Sequence, residues 1–424
     1  ELEDSVIVYG TTWIAWLQIL SVMLINSAAS LMWMSASSTP TVTAEWLHIS
    51  LTQLNWLSNI SAIINTCCSL ITGWSYQRFG MKSNIVFAAV INLIGCWVRC
   101  LSIMTPVKYR YPMVMLGQAI ASFGGAFIYN ISAKIASLWF APKDRGIANT
   151  LTALSLGMAL APILIPYVAP TVDKIPTMWL MIAIISTVAA IPSFFLPAAP
   201  PIPASPSADK DRMGVREGYR QLMKSNDFWL CAILCGTNTG MVFSVSLLVM
   251  EAISPLGYTD QQAGYCAASV VMAGYVGGLF AGYFMGATGQ HIMLIKLLTP
   301  CMVFTYVMFI FEIIPNAFPV ILINCSLNGF FAYALFPVCL EFVCEISYPV
   351  PESIASSLLW AFSTGLMLIF SVLIDSLRAG PDADPPNNMK LSMIVVAIIV
   401  ALGSLPAIWL QGQLKRLAVD QQKT

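Results

Sequence analysis

Charge is what this chain has least of. Of its 424 residues, 9% are charged and 58% hydrophobic, whereas a soluble globular domain carries roughly a quarter charged residues. That scarcity excludes a soluble domain, and a formal net charge of +0 leaves no basic surplus for nucleic acid. Histidine is scarcer still: His48 and His291 are the only two. With no nucleophile–His pair and no metal-ligand cluster in view, neither an enzyme, a metal nor another cofactor is expected. The 11 cysteines, including the neighbours Cys67 and Cys68, fall mostly inside apolar runs without finger-like spacing, which implies neither a zinc module nor a disulfide framework. Short alternating segments of a membrane β-barrel are also missing; the apolar runs are long and continuous enough to cross a bilayer as helices. No N-terminal stretch reads as a cleaved signal peptide. The chain starts acidic (Glu1, Glu3, Asp4) and enters the run Trp13 to Ser38, which is expected to serve as the insertion signal.

What polar sequence exists is concentrated. Ala199 to Asn226 is the only long polar segment between the termini, and behind a Pro-rich entry it carries Lys210, Arg212, Arg216, Arg220 and Lys224. Each flank reads as six apolar runs. Spans are expected at 13–38, 52–76, 83–104, 112–139, 146–168 and 177–198, then at 227–253, 261–286, 291–314, 317–346, 353–376 and 391–413. The expected fold class is an all-α membrane protein of twelve transmembrane helices in two pseudo-symmetric six-helix bundles, residues 1–198 and 227–424, joined by a cytoplasmic linker, 199–226. Basic residues occupy alternate loops. With the linker in the cytosol, Arg78, Lys82, Lys143, Arg145, Lys415, Arg416 and Lys423 lie on its side, while Lys108, Arg110, Lys174, Arg378 and Lys390 lie opposite. The positive-inside rule then makes both termini cytoplasmic.

An internal repeat supports the two-bundle plan. Gly73 and Gly80 flank the loop after span two, and Gly282 and Gly289 sit 209 positions later. Pro142 leads through Ile147-Ala148 into span five as Pro351 leads into span eleven through Ile354-Ala355, which lie 207 positions after Ile147-Ala148. The stretch Gly73-Trp-Ser-Tyr-Gln77-Arg78-Phe-Gly80-Met-Lys82 resembles the signature of the major facilitator superfamily, with Gln77 in place of the usual Asp. The resemblance implies a tight glycine turn after span two and gating contacts through Arg78 and Lys82. The departure puts the ionic part of that latch in question.

A narrower resemblance follows from Leu93-x-Gly95-x-Trp97-Val98-Arg99-Cys100, Gly117-Gln118, Ala133-Lys134-x-Ala136-x-x-Trp139-Phe140-x-Pro142-Lys143 and Glu341-Phe342-x-x-Glu345-x-x-Tyr348-Pro349-x-x-Glu352. Together these are similar to the feline leukaemia virus subgroup C receptor family. That family includes choline and ethanolamine transporters, a member linked to haem export and a branch similar to a pyridoxine transporter. The resemblance implies alternating-access, facilitative movement of a small organic solute, by a monomer in a plasma membrane or a vacuolar/lysosomal membrane. Its partners would be a small-molecule substrate and the lipid bilayer. A non-transporting receptor or nutrient sensor on the same scaffold is the alternative, as is a haem exporter, although no His stands at mid-depth to ligate haem.

Substrate sites in such folds lie near the midplane between the halves. The polar and aromatic candidates at that depth are Asn26, Trp33, Tyr129, Asn130, Ser155, Asn238, Phe243, Trp360, Ser363 and Thr364. Asn238, for instance, lies 11 residues beyond Asp227, roughly 16 Å deep at the helical rise per residue. Each could instead bond or pack between helices. Trp33 matches the span-one Trp that choline-transporting members set against a quaternary ammonium, a cation that aromatic faces hold well. Elsewhere the chain departs: Gly125 stands where those members carry a span-four Gln, Phe243 where they carry Tyr, and Thr364 where they carry Gln. The resemblance therefore implies a larger, less polar pocket. For the inner gate, Lys134 on span four and Glu341 on span ten, with Glu345 one turn on, occupy pseudo-equivalent positions and are expected to pair when the cavity closes. Glu251 and Glu312 are expected to be solvated at the outer ends of spans seven and nine. Gly274, Gly278, Gly282 and Gly286 form a row that admits a neighbouring helix closely.

Overall fold

A computed structural model of the chain describes residues 10–153, 155–202, 204–205, 213–312, 315–380, 382–386 and 388–421. Lys210 and Arg212 of the linker, the acidic start and Lys423 lie outside them. The described residues form helices and no strand. Twelve helices are long and apolar enough to cross a membrane. They are Trp13–Met34, Leu51–Phe79, Met81–Met104, Val107–Trp139, Pro142–Val168, Val172–Phe194, Asn226–Val249, Gln261–Thr288, His291–Glu312, Phe318–Ser347, Glu352–Ser376 and Lys390–Trp409, numbered here as spans one to twelve.

The repeat reaches into local chemistry. Span two starts at a capping box in which Ser50 and Gln53 satisfy each other's exposed backbone amides, and it ends at Gly80 with φ +77°. Span eight starts at the box Thr259–Gln262 and ends at Gly289 with φ +66°. Each of these residues lies 209 positions after its counterpart (259 − 50, 262 − 53, 289 − 80). The same start and stop signals therefore bound the same element in both halves.

Two spans expected to be continuous are broken. Span four runs as Val107–Tyr129 and resumes at Ser132–Trp139, because Asn130 turns its side-chain amide back onto the Ala126 carbonyl (2.6 Å), taking an acceptor that the backbone would use. Span five breaks between Arg145–Ala153 and Leu156–Val168. Three pieces outside the spans also went unforeseen: the short helix Pro40–Leu47, the linker helix Val215–Met223 and the terminal helix Lys415–Gln421.

Close approach between helices is where the glycines act. A Cβ on Gly95 would meet the Ala121 backbone at 2.3 Å, and one on Gly117 the Arg99 backbone at 2.6 Å, so spans three and four pack backbone to backbone. The span-eight row does the same across the halves: a Cβ on Gly282 would sit 2.7 Å from the Gly146 carbonyl oxygen, and one on Gly286 2.3 Å from that of Lys143.

The two sets of six meet along two seams. Along spans two and eleven, Gln77 donates to Ser353 (3.2 Å), Thr72 and Ser357 pair at 2.8 Å, Thr66 and Thr364 at 2.9 Å, and Ser371 donates to Asn59 (3.1 Å). Along spans five and eight, Thr150 donates to the Gly278 carbonyl (3.0 Å), Ser155 meets Tyr275, and Tyr167 pairs with Tyr265 at 2.9 Å. Contacts therefore lie both towards the linker face and towards the opposite face.

Candidate functional site

Between the seams lies a cavity with about 100 Å³ open to the centre of a water-sized molecule. A single water needs ~10–15 Å³ on that measure, so the space suits a small organic molecule. Trp33, Tyr129, Phe243, Tyr333, Phe336 and Trp360 give it aromatic walls. The Phe243 and Trp360 rings stack at 6.1 Å and 10°, Tyr129 and Trp360 at 5.9 Å and 27°, while Trp33 meets Phe243 edge-on at 6.1 Å. None of the lining residues is Asp, Glu, Lys, Arg or His. Walls of this kind hold a cation through ring faces or a neutral solute through stacking, not through a counter-ion. The buried Trp360 indole N–H has no acceptor among the described residues.

The polar wall is built from the break in span five. There the Thr152 carbonyl accepts from Asn26 Nδ2 (3.1 Å) and the Leu156 amide donates to Ser27 Oγ (3.1 Å). The Ser155 amide donates to the Tyr275 hydroxyl (3.0 Å), which itself donates to the Ser155 carbonyl. Spans one and eight thus satisfy backbone groups that a bilayer interior would leave orphaned. Ser155 Oγ donates to Ser30 Oγ, which lies 3.4 Å from the Tyr129 hydroxyl, so a hydrogen-bonded chain lines one side of the aromatic chamber.

Seven of the ten sequence candidates line this cavity: Asn26, Trp33, Tyr129, Ser155, Phe243, Trp360 and Thr364. Asn130 and Asn238 do not. Asn130 donates to Ser69 Oγ (2.8 Å) and Asn238 to the Leu234 carbonyl (2.6 Å), both inside helix packing, and Ser363 likewise bonds the Leu359 carbonyl (2.9 Å). Depth was readable for these residues; facing was not. Sequence reasoning missed Ser30, Asn65, Thr239, Tyr275, Tyr333 and Phe336; each stands inside its span, so the same depth count could have raised them. Gly125 has a specific role. A Cβ there would meet the Tyr129 ring at 3.3 Å, so the missing side chain leaves room for that ring.

Trp33 is held from behind. The Arg99 guanidinium, 1% exposed, donates to the Met32 carbonyl (2.8 Å) and Ser35 Oγ (2.7 Å) and lies 4.3 Å from the Trp179 ring centroid. It pins the last turn of span one, where Trp33 sits.

The charged contacts at the linker face differ from expectation. Glu341 is paired with Arg416 of the terminal helix, not with Lys134, and it also accepts from Asn149 of span five. Glu345 joins the same arginine at 2.7 Å. The reason is reach: the terminal helix folds back under span ten, which no span-by-span reading places there. Gln77 still bridges span two to span eleven, as a neutral hydrogen bond, while Arg78 is exposed and Lys82 half-buried. At the opposite face Glu251 is buried and ion-paired with Arg378, which also meets Asp375 at 2.7 Å, rather than solvated.

Twelve spans, a repeat of six and a midplane cavity between two seams define a membrane transporter fold. The sequence matches the Major Facilitator Superfamily over residues 11–372, and the chain belongs to that superfamily. It is 27% identical over 436 residues to "Solute carrier family 49 member A3" of Xenopus tropicalis, covering 96% of this chain and 89% of that one. It is 25% identical over 426 residues to "Choline/ethanolamine transporter FLVCR1" of Mus musculus, covering 90% and 74%. Among solved structures the proton:xylose symporter XylE superposes with a TM-score of 0.73 at 16% identity, covering 96% of this chain and 98% of that one, a likeness of fold.

Proposed function

We propose that this transporter carries a small organic cation of the choline or ethanolamine kind, or a vitamin-like aromatic solute such as pyridoxine, by alternating exposure of the central cavity. The observation that carries this reading is the aromatic chamber without a charged side chain among its lining residues. A permanent cation binds there through the faces of Trp33, Phe243 and Trp360, and a pyridine ring stacks between the same rings. Named choline/ethanolamine transporters among the relatives support the first substrate class. Transport is facilitative, since the cavity wall offers no carboxylate to carry a proton. In this reading residues 1–198 and 227–424 rock as units about the cavity, and the linker face with both termini is cytosolic.

The test is counterflow into proteoliposomes of the purified protein with labelled choline, ethanolamine and pyridoxine, comparing wild type with Trp33→Ala. Saturable choline uptake lost in the variant supports the aromatic cation site. Pyridoxine uptake without choline uptake selects the second solute class. Binding of a solute with no counterflow would refute transport and favour a sensor.

A further inference from the structure

We propose that Arg416 is a positioning residue for the linker-side gate, holding Glu341 in the orientation that reaches across to the opposite half. The inference rests on the reading of the chain as two halves that rock, and adds to it a residue outside the twelve spans.

Arg416 enters from the terminal helix and is 1% exposed. Around it stand Glu341 and Glu345, one turn apart at the end of span ten, and Glu352 at the start of span eleven, all buried. Arg416 Nε donates to Glu345 Oε1 (2.8 Å), one terminal nitrogen donates to Glu341 Oε1, and the other lies 3.6 Å from Glu352. The Leu417 amide donates to the second oxygen of Glu345 (2.8 Å), so the backbone behind the arginine is fixed as well. The second oxygen of Glu341 accepts from Asn149 Nδ2, on span five of the other half. Glu341 is therefore a two-ended link, with the tail on one oxygen and the opposing half on the other.

The chemistry makes the arginine necessary to that link. Carboxylates one turn apart in a buried site repel, and removing the cation of a buried cluster leaves its charges uncompensated. Burial pulls the Arg416 guanidinium down and Glu341 and Glu345 pull it up, with the net direction upward, so it stays charged in place. A planar fork can serve two carboxylates at once with fixed directions, which an ammonium cannot. The nest also borders the seam that must part. One cavity is lined by Glu341, Glu345 and Leu417 on one side and by Lys143, Arg145 and Gly146 on the other. Without Arg416, Glu341 and Glu345 repel and turn to the water of that cavity, and the bond to Asn149 is lost.

The test uses full-length protein in lipid nanodiscs, open to both faces, with Cys67, Cys100 and Cys301 changed to Ser, and a membrane-impermeant maleimide. Cys344, buried between the two span-ten glutamates, reports whether the tail is seated. A thiol introduced by Ser356→Cys reports the gate, because Ser356 is 0% exposed and faces the Asn130 carbonyl across the halves. Arg416→Met is expected to raise labelling at both thiols at least about tenfold, roughly the factor given by losing one charge-assisted hydrogen bond. Arg416→Lys is expected to fall between. Arg416→Met with Glu345→Gln removes the repulsion and is expected to return the Ser356→Cys thiol towards its protected level, which a merely misfolded protein would not do. The proposal is overturned if that thiol stays as protected in Arg416→Met as in wild type, or if the Glu345→Gln background restores nothing. Labelling requires no solute, so either failure is separate from a failed uptake assay.

Discussion

The seams make a sign-reversing prediction that no choice of substrate affects. Gly282 faces Gly146 on the linker side of the cavity, and Gly264 faces Pro162 on the opposite side. A methyl on Gly282 would stand 2.7 Å from the Gly146 carbonyl oxygen, and one on Gly264 2.4 Å from the Pro162 carbonyl oxygen; ordinary contact begins at 3.4 Å. The helices must therefore part by about 0.7 Å and 1.0 Å respectively (3.4 − 2.7 and 3.4 − 2.4). Neither neighbour is a flexible side chain that could swing away. Overpacking of this kind costs about 1–3 kcal/mol in the closed arrangement, which shifts a two-state opening equilibrium by ~5- to 150-fold. Gly282→Ala should favour opening at the linker face and Gly264→Ala opening at the other. The assay is thiol labelling at Ser356→Cys, on the linker side, and at Ser371→Cys, beside Asn59 on the opposite side. Each alanine should raise labelling on its own side and lower it on the other. Parallel changes in both variants, or none, would refute the reasoning that these glycines close alternate gates.

Other consequences can be checked more briefly. Trp33→Ala should weaken a cationic solute by roughly 1–2 kcal/mol, about 5- to 30-fold in KM, while Trp33→Phe keeps most of the affinity, as read in uptake or counterflow. Asn65→Ala, on the cavity wall, should raise KM about 3- to 10-fold through loss of one hydrogen bond. Asn238→Ala, outside the cavity, should change it less than about twofold. Arg99→Met removes two charge-assisted bonds behind Trp33, about 3 kcal/mol, and should lower the melting temperature of the detergent-purified protein by about 5 °C. Gly125→Gln should drive the Tyr129 ring from its stack on Trp360, visible as altered solute selectivity with folding retained.

Several particulars show what was legible before the fold was known. Gly80 and Gly289 announced a 209-residue repeat because glycine at a turn is dictated locally, by φ, and local requirements are written in sequence, while Gly73 and Gly282 repeat at the same offset inside helices that pack closely on a neighbour's backbone. The aromatic residues of the chamber were legible by depth, since counting from a span's end at the helical rise gives height in the bilayer. Azimuth was not legible. A span surrounded by lipid and by other helices is apolar all round, so it carries no polar stripe to show which face looks inward, and Asn130 and Asn238 were assigned to the cavity on depth alone. Asn130 in fact ends a helix segment, and its amide is spent on Ser69 and Ala126.

The sequence by itself thus determined the class: the number of spans, the polar linker, the doubling and the chamber's aromatic content all follow from hydropathy, spacing and turn chemistry. Tertiary structure alone decided the partners. Asn26 finds Thr152, Tyr275 finds the broken backbone at Ser155, and Arg416 finds Glu341 across 75 positions of chain. Those pairings depend on which helix faces stand together after packing, and a pairing energy between distant side chains leaves no periodic trace in either segment.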